Sequence, residues 1–251
     1  MKIWISGAAG FMGRAVAEEA AKQDVTVLGG VDRVPCRCDF PVVSRFDDLP
    51  RGGDAMIDFS APAALTELLA FCTRERVPAV LCTTGYSEEQ IREIEAAARE
   101  IPVFRSGNMS IGIALLRRLV REAARVLGPS FDIEITEAHH RRKKDAPSGT
   151  ALMLYEAVKD ARGAENTGAV CGRSGRDCQR TQGEVGIHSL RGGTVVGEHE
   201  VAFLGDMERI RLSHSAESRS VFALGALRAA AFLPGKAPGL YDMDAMLSDL
   251  L

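Results

Sequence analysis

The feature that most constrains this chain is a run of closely spaced glycines, Gly7-Ala8-Ala9-Gly10-Phe11-Met12-Gly13. It sits between a strand-like apolar segment, Lys2 to Ser6, and a segment of helical periodicity. In such a strand-to-helix turn the first glycine permits the bend, the second lets a pyrophosphate approach the backbone, and the third lets helix and strand pack closely. The N–H groups that open the helix then face the phosphates. Glycine spacing alone is a weak signal. Asp32 strengthens it, standing nineteen residues after Gly13 at the end of the second strand, where an acid accepts hydrogen bonds from ribose hydroxyls. Gly7, Ala8, Ala9, Gly10, Phe11, Met12, Gly13, Asp32 and Arg33 are therefore candidate dinucleotide contacts. Arg33 leaves the cofactor open between NADH and NADPH: the acid favours NADH, whereas an adjacent arginine can pair with the extra phosphate. A solvated loop arginine is the plain alternative.

Around that turn, apolar runs at 2–6, 25–31, 55–59, 79–83 and 102–105 alternate with helical patterns at 13–23, 62–75 and 88–100. This is the pattern of a doubly wound parallel sheet covered by helices, and Ser87-x-x-Gln90 reads as a capping box opening the third helix. Ligands in such sheets bind beyond the carboxyl ends of the strands. Cys82, Thr83 and Thr84 after the fourth strand, and Ser106, Gly107, Asn108 and Met109 after the fifth, are placed to line the nicotinamide half of the cofactor. Turn chemistry by itself would also account for Gly and Asn there.

Beyond a helix at about 111–127 the pattern changes to longer alternating strands at 131–138, 184–191, 194–204 and 208–214, with one helix at 149–162. Gly192-Gly193 reads as a tight hairpin turn between two of them. Helices at 218–233 and 241–250 close the chain and are expected to pack back on the first domain. The expected architecture is an α/β chain: an N-terminal Rossmann-type domain from 1–110 and 219–251, and an α+β domain over 111–218 with an open, mixed, mostly antiparallel sheet.

Composition limits what the chain can bind. Lys and Arg number 31 against 34 Asp and Glu, a net charge of -3, which gives no field to hold a nucleic acid or an anionic membrane. No apolar run approaches the roughly 18 residues of a membrane span, and the expected location is the cytoplasm. Six cysteines include no C-x-x-C pair, and Cys36-x-Cys38 lacks the second ligand pair of a zinc site, so no metal is expected.

The chemistry concentrates between 137 and 151, in Glu137-Ala138-His139-His140-Arg141-Arg142-Lys143-Lys144-Asp145-Ala146-Pro147-Ser148-Gly149-Thr150-Ala151. Four consecutive cations normally mean a solvated face, or a nucleic-acid patch in a chain with an extended basic surface, which this net-acidic chain lacks. Ser148-Gly149-Thr150 after Pro147 reads as a helix start, with a hydroxyl and backbone N–H groups able to take a carboxylate. A lysine and a histidine nearby supply charge and a proton, which suits a small, multiply anionic substrate.

That string, with Gly7-x-x-Gly10-x-Met12-Gly13, Thr83-Thr84-Gly85, Asn108-x-Ser110-x-Gly112, Gly183-Glu184-Val185-Gly186-Ile187-His188-Ser189, Arg191-Gly192-Gly193, Val196-Gly197-Glu198-His199 and Ser218-Arg219, closely resembles the dihydrodipicolinate reductase family from end to end. The resemblance implies reduction of 4-hydroxy-tetrahydrodipicolinate, a cyclic dicarboxylate, by NADH or NADPH in lysine and diaminopimelate biosynthesis. It implies His139 and Lys143 as the proton-handling pair, and His140, Ser148, Gly149, Thr150 and Arg219 as substrate contacts. Lys143 is the preferred acid, because its ammonium also offsets the dicarboxylate charge. Arg219 could instead reach the cofactor edge, and His139 could be structural on pattern alone. A homotetramer is also implied, assembled through the second domain, whose sheet would keep one face apolar enough to pair with another subunit.

The sequence departs from the family's common pattern at Arg142, Lys144, Ser106-Gly107 and Leu224, and the span 33–54 is short. None of these removes a proposed catalytic group. The alternatives are an aspartate- or homoserine-type dehydrogenase, against which the 137–151 loop argues, and a silent nucleotide sensor, which could lose His139 or Lys143. A scaffold module binding an acidic partner leaves the glycine fingerprint unexplained.

Overall fold

The computed structural model describes residues 1–163 and 167–250. The chain forms two compact units, Met1–Ile111 with Arg219–Leu251, and Gly112–Ser218.

In the first unit, β1 (Lys2–Ser6), β2 (Thr26–Val31), β3 (Val42–Val43), β4 (Ala55–Asp58), β5 (Ala79–Leu81), β6 (Pro102–Arg105) and β12 (Gly239–Tyr241) form a sheet in the order β12-β6-β5-β4-β1-β2-β3. Every pairing among these strands is parallel. A parallel sheet covered on both faces needs strands that are apolar throughout, and β4 and β5 are buried at every position. Helices α1 (Phe11–Ala21), α2 (Leu65–Glu75) and α3 (Glu88–Ala97) cross between strands. Trp4 of β1 stacks edge-on against Phe71 of α2, with centroids 5.3 Å apart, and its indole N–H donates to the Pro50 carbonyl at 2.8 Å. The capping box is present: Ser87 Oγ accepts from the Gln90 amide at 3.3 Å, and Gln90 Oε1 accepts from the Ser87 amide at 3.0 Å.

Residues 219 onward return to this unit. Helix α6 (Ser220–Phe232) packs against α1, β4 and β5, and β12 adds an edge strand beside β6. The last helix is shorter than the pattern suggested: α7 (Met243–Asp249) starts after β12, where Asp242 Oδ1 accepts from the Ala245 amide.

The second unit holds α4 (Ile111–Leu127), which starts at the last residue of the first, with β7 (Asp132–His139), α5 (Gly149–Arg162), β8 (Gly168–Cys171), β9 (Glu184–Arg191), β10 (Gly197–Leu204) and β11 (Arg209–Ala216). The strand order is β11-β10-β7-β9-β8. The sheet is mixed, as expected: β10 pairs antiparallel with β7 and β11, and β9 pairs parallel with β7 and β8. Gly192-Gly193 does not turn a hairpin. Strand β7 lies between β9 and β10, so the chain leaving β9 crosses to the far side of β7, and Gly192 instead donates to the His139 carbonyl at 3.0 Å. The reason lies in the strand order: β9 and β10 run in opposite directions, but β7 occupies the place beside β9 that a hairpin partner would need.

Side-chain alternation gives the sheet two faces. Ile133, Ile135, Val185, Ile187, Val201 and Phe203 form a buried core with α4 and α5. The same alternation places Glu134, Thr136, His188, Leu190 and Glu200 on the opposite face. That face is less apolar than expected. Leu190 is exposed there, but Glu134 is ion-paired with Arg173, Arg180 and His188, and Glu200 with Arg211.

Candidate active site

The carboxyl edge of the first sheet gathers the residues read from the glycine turn and the strand ends. Gly7 has φ +80°, and a Cβ there would lie 2.6 Å from the Phe59 carbonyl oxygen. A Cβ on Gly13 would lie 2.2 Å from the Gly7 oxygen and 2.8 Å from Ala8 Cα. Both positions thus require glycine, one for conformation and one for close approach. Gly10 caps α1 with no side-chain hydrogen bond, and no acid lies in the first turn, so the amides of this helix start suit an anion. The loop therefore fits a dinucleotide pyrophosphate.

At the end of β2, Asp32 is held from both sides. Its Oδ2 accepts from the Ala9 amide at 2.9 Å and its Oδ1 from the Val34 amide at 3.0 Å, which ties the acid to the glycine turn. Arg33 is exposed. Further along the edge Cys82 and Thr83 are buried, while Thr84 is exposed and lies 3.5 Å from where a Gly107 Cβ would be. Ser106 and Asn108 form a closed turn: Ser106 Oγ donates to the Asn108 carbonyl at 2.7 Å, and Asn108 Oδ1 accepts from the Ser110 amide at 2.9 Å. Met109 is buried against α6, where a Cβ on Gly225 would overlap its carbonyl oxygen at 1.7 Å. Arg219 places its guanidinium 5.0 Å from the centre of the Phe11 ring, within this same unit. Sequence reasoning missed the buried Asp58, whose carboxylate accepts from Ser60 Oγ at 2.5 Å and Tyr86 Oη at 3.3 Å.

In the second unit, β7 delivers Glu137 and His139 on the core-facing side, and the loop to α5 carries the rest. Glu137 is fully buried. Its carboxylate accepts from Arg191 Nη1 and Nη2 at 2.8 and 2.7 Å, from the Ser148 amide at 3.1 Å, and it lies 2.6 Å from His139 Nδ1. Burial pushes this acid upward, but the hydrogen bonds from Arg191 and His139 outweigh it and hold the carboxyl down at about 2. His139 is lowered, mainly by burial and against the pull of Glu137. The His139 and His199 rings meet edge to face at 5.2 Å, and His199 Nε2 is 3.1 Å from Ser148 Oγ. Burial lowers His199 to about 4.

Ser148 caps α5, its Oγ accepting from the Ala151 amide at 3.1 Å. Gly149 is exposed, with nothing within 4 Å of where its Cβ would be, which leaves space before the helix start. His140 is half-buried and its Nδ1 is shielded without a hydrogen-bond partner. The Lys143 ammonium is 2.9 Å from Asp145 Oδ1, whereas Arg141, Arg142 and Lys144 are exposed. Lys143 is thus partly buried and ion-paired where its neighbours in the run are exposed. Arg191 and His199 belonged to recognised motifs but had no role. Sheet register brings them in, with His139 opposite Arg191 and Glu137 opposite His199, a juxtaposition that sequence separation conceals.

Two family models divide the chain between them: "Dihydrodipicolinate reductase, N-terminus" matches residues 1–109, and "Dihydrodipicolinate reductase, C-terminus" matches 112–247. The chain belongs to the dihydrodipicolinate reductase family. The 4-hydroxy-tetrahydrodipicolinate reductase of Caldanaerobacter subterraneus subsp. tengcongensis is 47% identical over 248 residues, covering 98% of each chain. That of Clostridium tetani is 44% identical over 250 residues, covering 99% of this chain and 97% of its own. Among solved structures, a dipicolinate-bound dihydrodipicolinate reductase from Paenisporosarcina sp. TG-14 matches with a TM-score of 0.79 over 96% of this chain and 97% of its own, at 21% identity. Family membership makes the chain an NAD(P)H-dependent oxidoreductase with an N-terminal nucleotide-binding domain. It also makes a silent sensor or an aspartate-type dehydrogenase the poorer account of the 137–151 loop.

Proposed function

We propose that this dihydrodipicolinate reductase family member converts 4-hydroxy-tetrahydrodipicolinate to tetrahydrodipicolinate in lysine and diaminopimelate biosynthesis, with Lys143 as the proton donor. The observation that carries the reading is the segment joining β7 to α5, where buried Glu137 holds both His139 and the Ser148 amide at the capped start of α5, and Lys143 is ion-paired with Asp145. The reaction is a loss of water followed by reduction of a conjugated cyclic imine. The nicotinamide supplies the hydride to ring carbon 4. The resulting enamine must be protonated at the ring carbon between carbon 4 and the imine carbon, which restores the imine. Lys143 gives that proton, and the ammonium also offsets the charge of a doubly anionic ring. His139, neutral and bonded through Nδ1 to Glu137, partners it in handling the proton. His140, the hydroxyls of Ser148 and Thr150, and the backbone at Gly149 hold the carboxylates at the helix start.

The cofactor lies on Gly7 to Gly13, with Asp32 and Arg33 at the adenine ribose and Cys82 to Thr84 and Ser106 to Met109 at the nicotinamide end. Asp32, as a fixed acceptor, suits NADH, and the exposed Arg33 suits the phosphate of NADPH, so both cofactors are used. Arg219, stacked on Phe11 beside the glycine turn, serves the cofactor edge better than the substrate carboxylate expected of it. The enzyme is a cytoplasmic homotetramer in this reading. Six free thiols accord with a reducing compartment, and the β-sheet face that carries Leu190 is the surface for assembly.

Steady-state kinetics of Lys143→Ala test the assignment. The expected result is a fall in kcat of roughly 100-fold or more, the usual worth of a general acid. Unchanged kcat would remove Lys143 as the donor.

A further inference from the structure

Glu137 has no role in that reaction scheme, yet its buried carboxylate receives hydrogen bonds from three elements: Arg191 at the end of β9, the Ser148 amide before α5, and His139 on its own strand. An ionised carboxylate only accepts, so the proton in the 2.6 Å contact belongs to His139 Nδ1. A neutral imidazole has one N–H, and the nitrogen that carries it is set by the bond the ring makes. His139 Nε2 is then the nitrogen with a lone pair. Gly197 keeps it uncovered, because a Cβ at 197 would stand 3.1 Å from Nε2.

We propose that Glu137 is a positioning residue for the reduction, fixing His139 as the Nδ1–H tautomer and at the same time pinning the Ser148 amide, so that proton-handling ring and carboxylate-binding helix start share one anchor. Arg191 makes this anchor possible by placing a bidentate guanidinium on the carboxylate, which keeps a buried acid ionised. Arg191 is itself braced, donating to the Asp145 carbonyl at 2.8 Å in the loop that carries Lys143. The other titratable groups around His139 are Lys143 in the loop and His199 on β10, neither of which bonds Nδ1 in place of Glu137. The inference rests on the reductase reading for its catalytic consequence, but the tautomer belongs to the protein without substrate.

The test is ¹⁵N NMR of the imidazoles in the full-length chain, with no ligand, comparing wild type, Glu137→Gln and Glu137→Asp, alongside kcat and KM for each. Wild type should show His139 as the neutral Nδ1–H tautomer at neutral pH. Glu137→Gln, whose amide N–H can donate to Nδ1, should shift the ring to the Nε2–H tautomer and lower kcat by up to roughly 100-fold, the scale for a misplaced catalytic group. Glu137→Asp, keeping the charge, should retain the wild-type tautomer and recover part of kcat. An Nε2–H tautomer or an imidazolium in wild type overturns the proposal, and that spectrum decides even if Glu137→Gln does not fold. A wild-type tautomer and kcat in Glu137→Gln also overturns it. A wild type with the expected tautomer but no reductase activity would instead strike the function and leave the positioning geometry intact.

Discussion

A methyl group added at Gly13 cannot be absorbed by a side chain giving way, because the atoms it meets are the Gly7 carbonyl oxygen and Ala8 Cα, both backbone. Gly13→Ala must therefore shift the glycine turn relative to α1. We expect a loss of about 1–3 kcal/mol in stability, as for overpacking elsewhere, together with weakened binding of the reduced dinucleotide. Fluorescence titration with NADH and thermal unfolding would check both, and wild-type values in the two assays would show that the turn tolerates the methyl. Gly149→Ala is the contrasting case, since its Cβ enters open space and φ is not left-handed there. Stability should change by less than about 1 kcal/mol, while KM for the dicarboxylate rises if that space admits substrate. At this scale the sequence was informative where one residue type is compelled. Gly7, Gly13 and the Ser87-Gln90 box could be read directly. Glu137, Arg191 and His199 could not be assigned, because their roles come from strand register across more than fifty residues.

Buried imidazoles are shared among the elements of the second sheet. His199 on β10 sits against His139 on β7 and Ser148 before α5, and is lowered to about 4. A histidine whose folded value is depressed binds its proton in the unfolded chain first. Stability is then complete above about 6.5 and declines as pH falls from there toward about 4, by up to ~3 kcal/mol for His199 alone. His139 and His214 are lowered as well and act in the same direction. Glu137, held at about 2, works at lower pH: its contribution is present above the unfolded value near 4.5 and is lost as pH falls through about 2. Urea unfolding from pH 7.5 to 4.5 should thus show a decline, and His199→Gln should flatten it. An equal slope in that variant would assign the decline to other groups. The elements themselves were legible wherever apolar periodicity ran for several residues, as in β1, α3, β7 and α5. Strands β3, β8 and β12 span two, four and three residues at or near sheet edges, too short to show a period. The Gly192-Gly193 pair misled for a related reason: local turn chemistry says where a chain bends, but not which strand lies between the two segments it joins.

At the scale of the whole molecule, the proposed assembly would use the face of the second sheet that turns away from α4 and α5. It carries charge, yet most of that charge is paired within the unit, and Leu190 stands exposed among it. Light scattering should give four times the chain mass for wild type, and Leu190→Glu should shift the distribution to smaller species without changing thermal unfolding of the isolated units. A monomeric wild type would contradict the assembly. The central claim is the reaction. Its most direct measurement follows NADH and NADPH oxidation by the wild-type enzyme, with 4-hydroxy-tetrahydrodipicolinate formed in situ from pyruvate and aspartate semialdehyde by the preceding synthase. Oxidation of both cofactors that depends on every component is the predicted result, and no oxidation of either cofactor with the substrate present would contradict it.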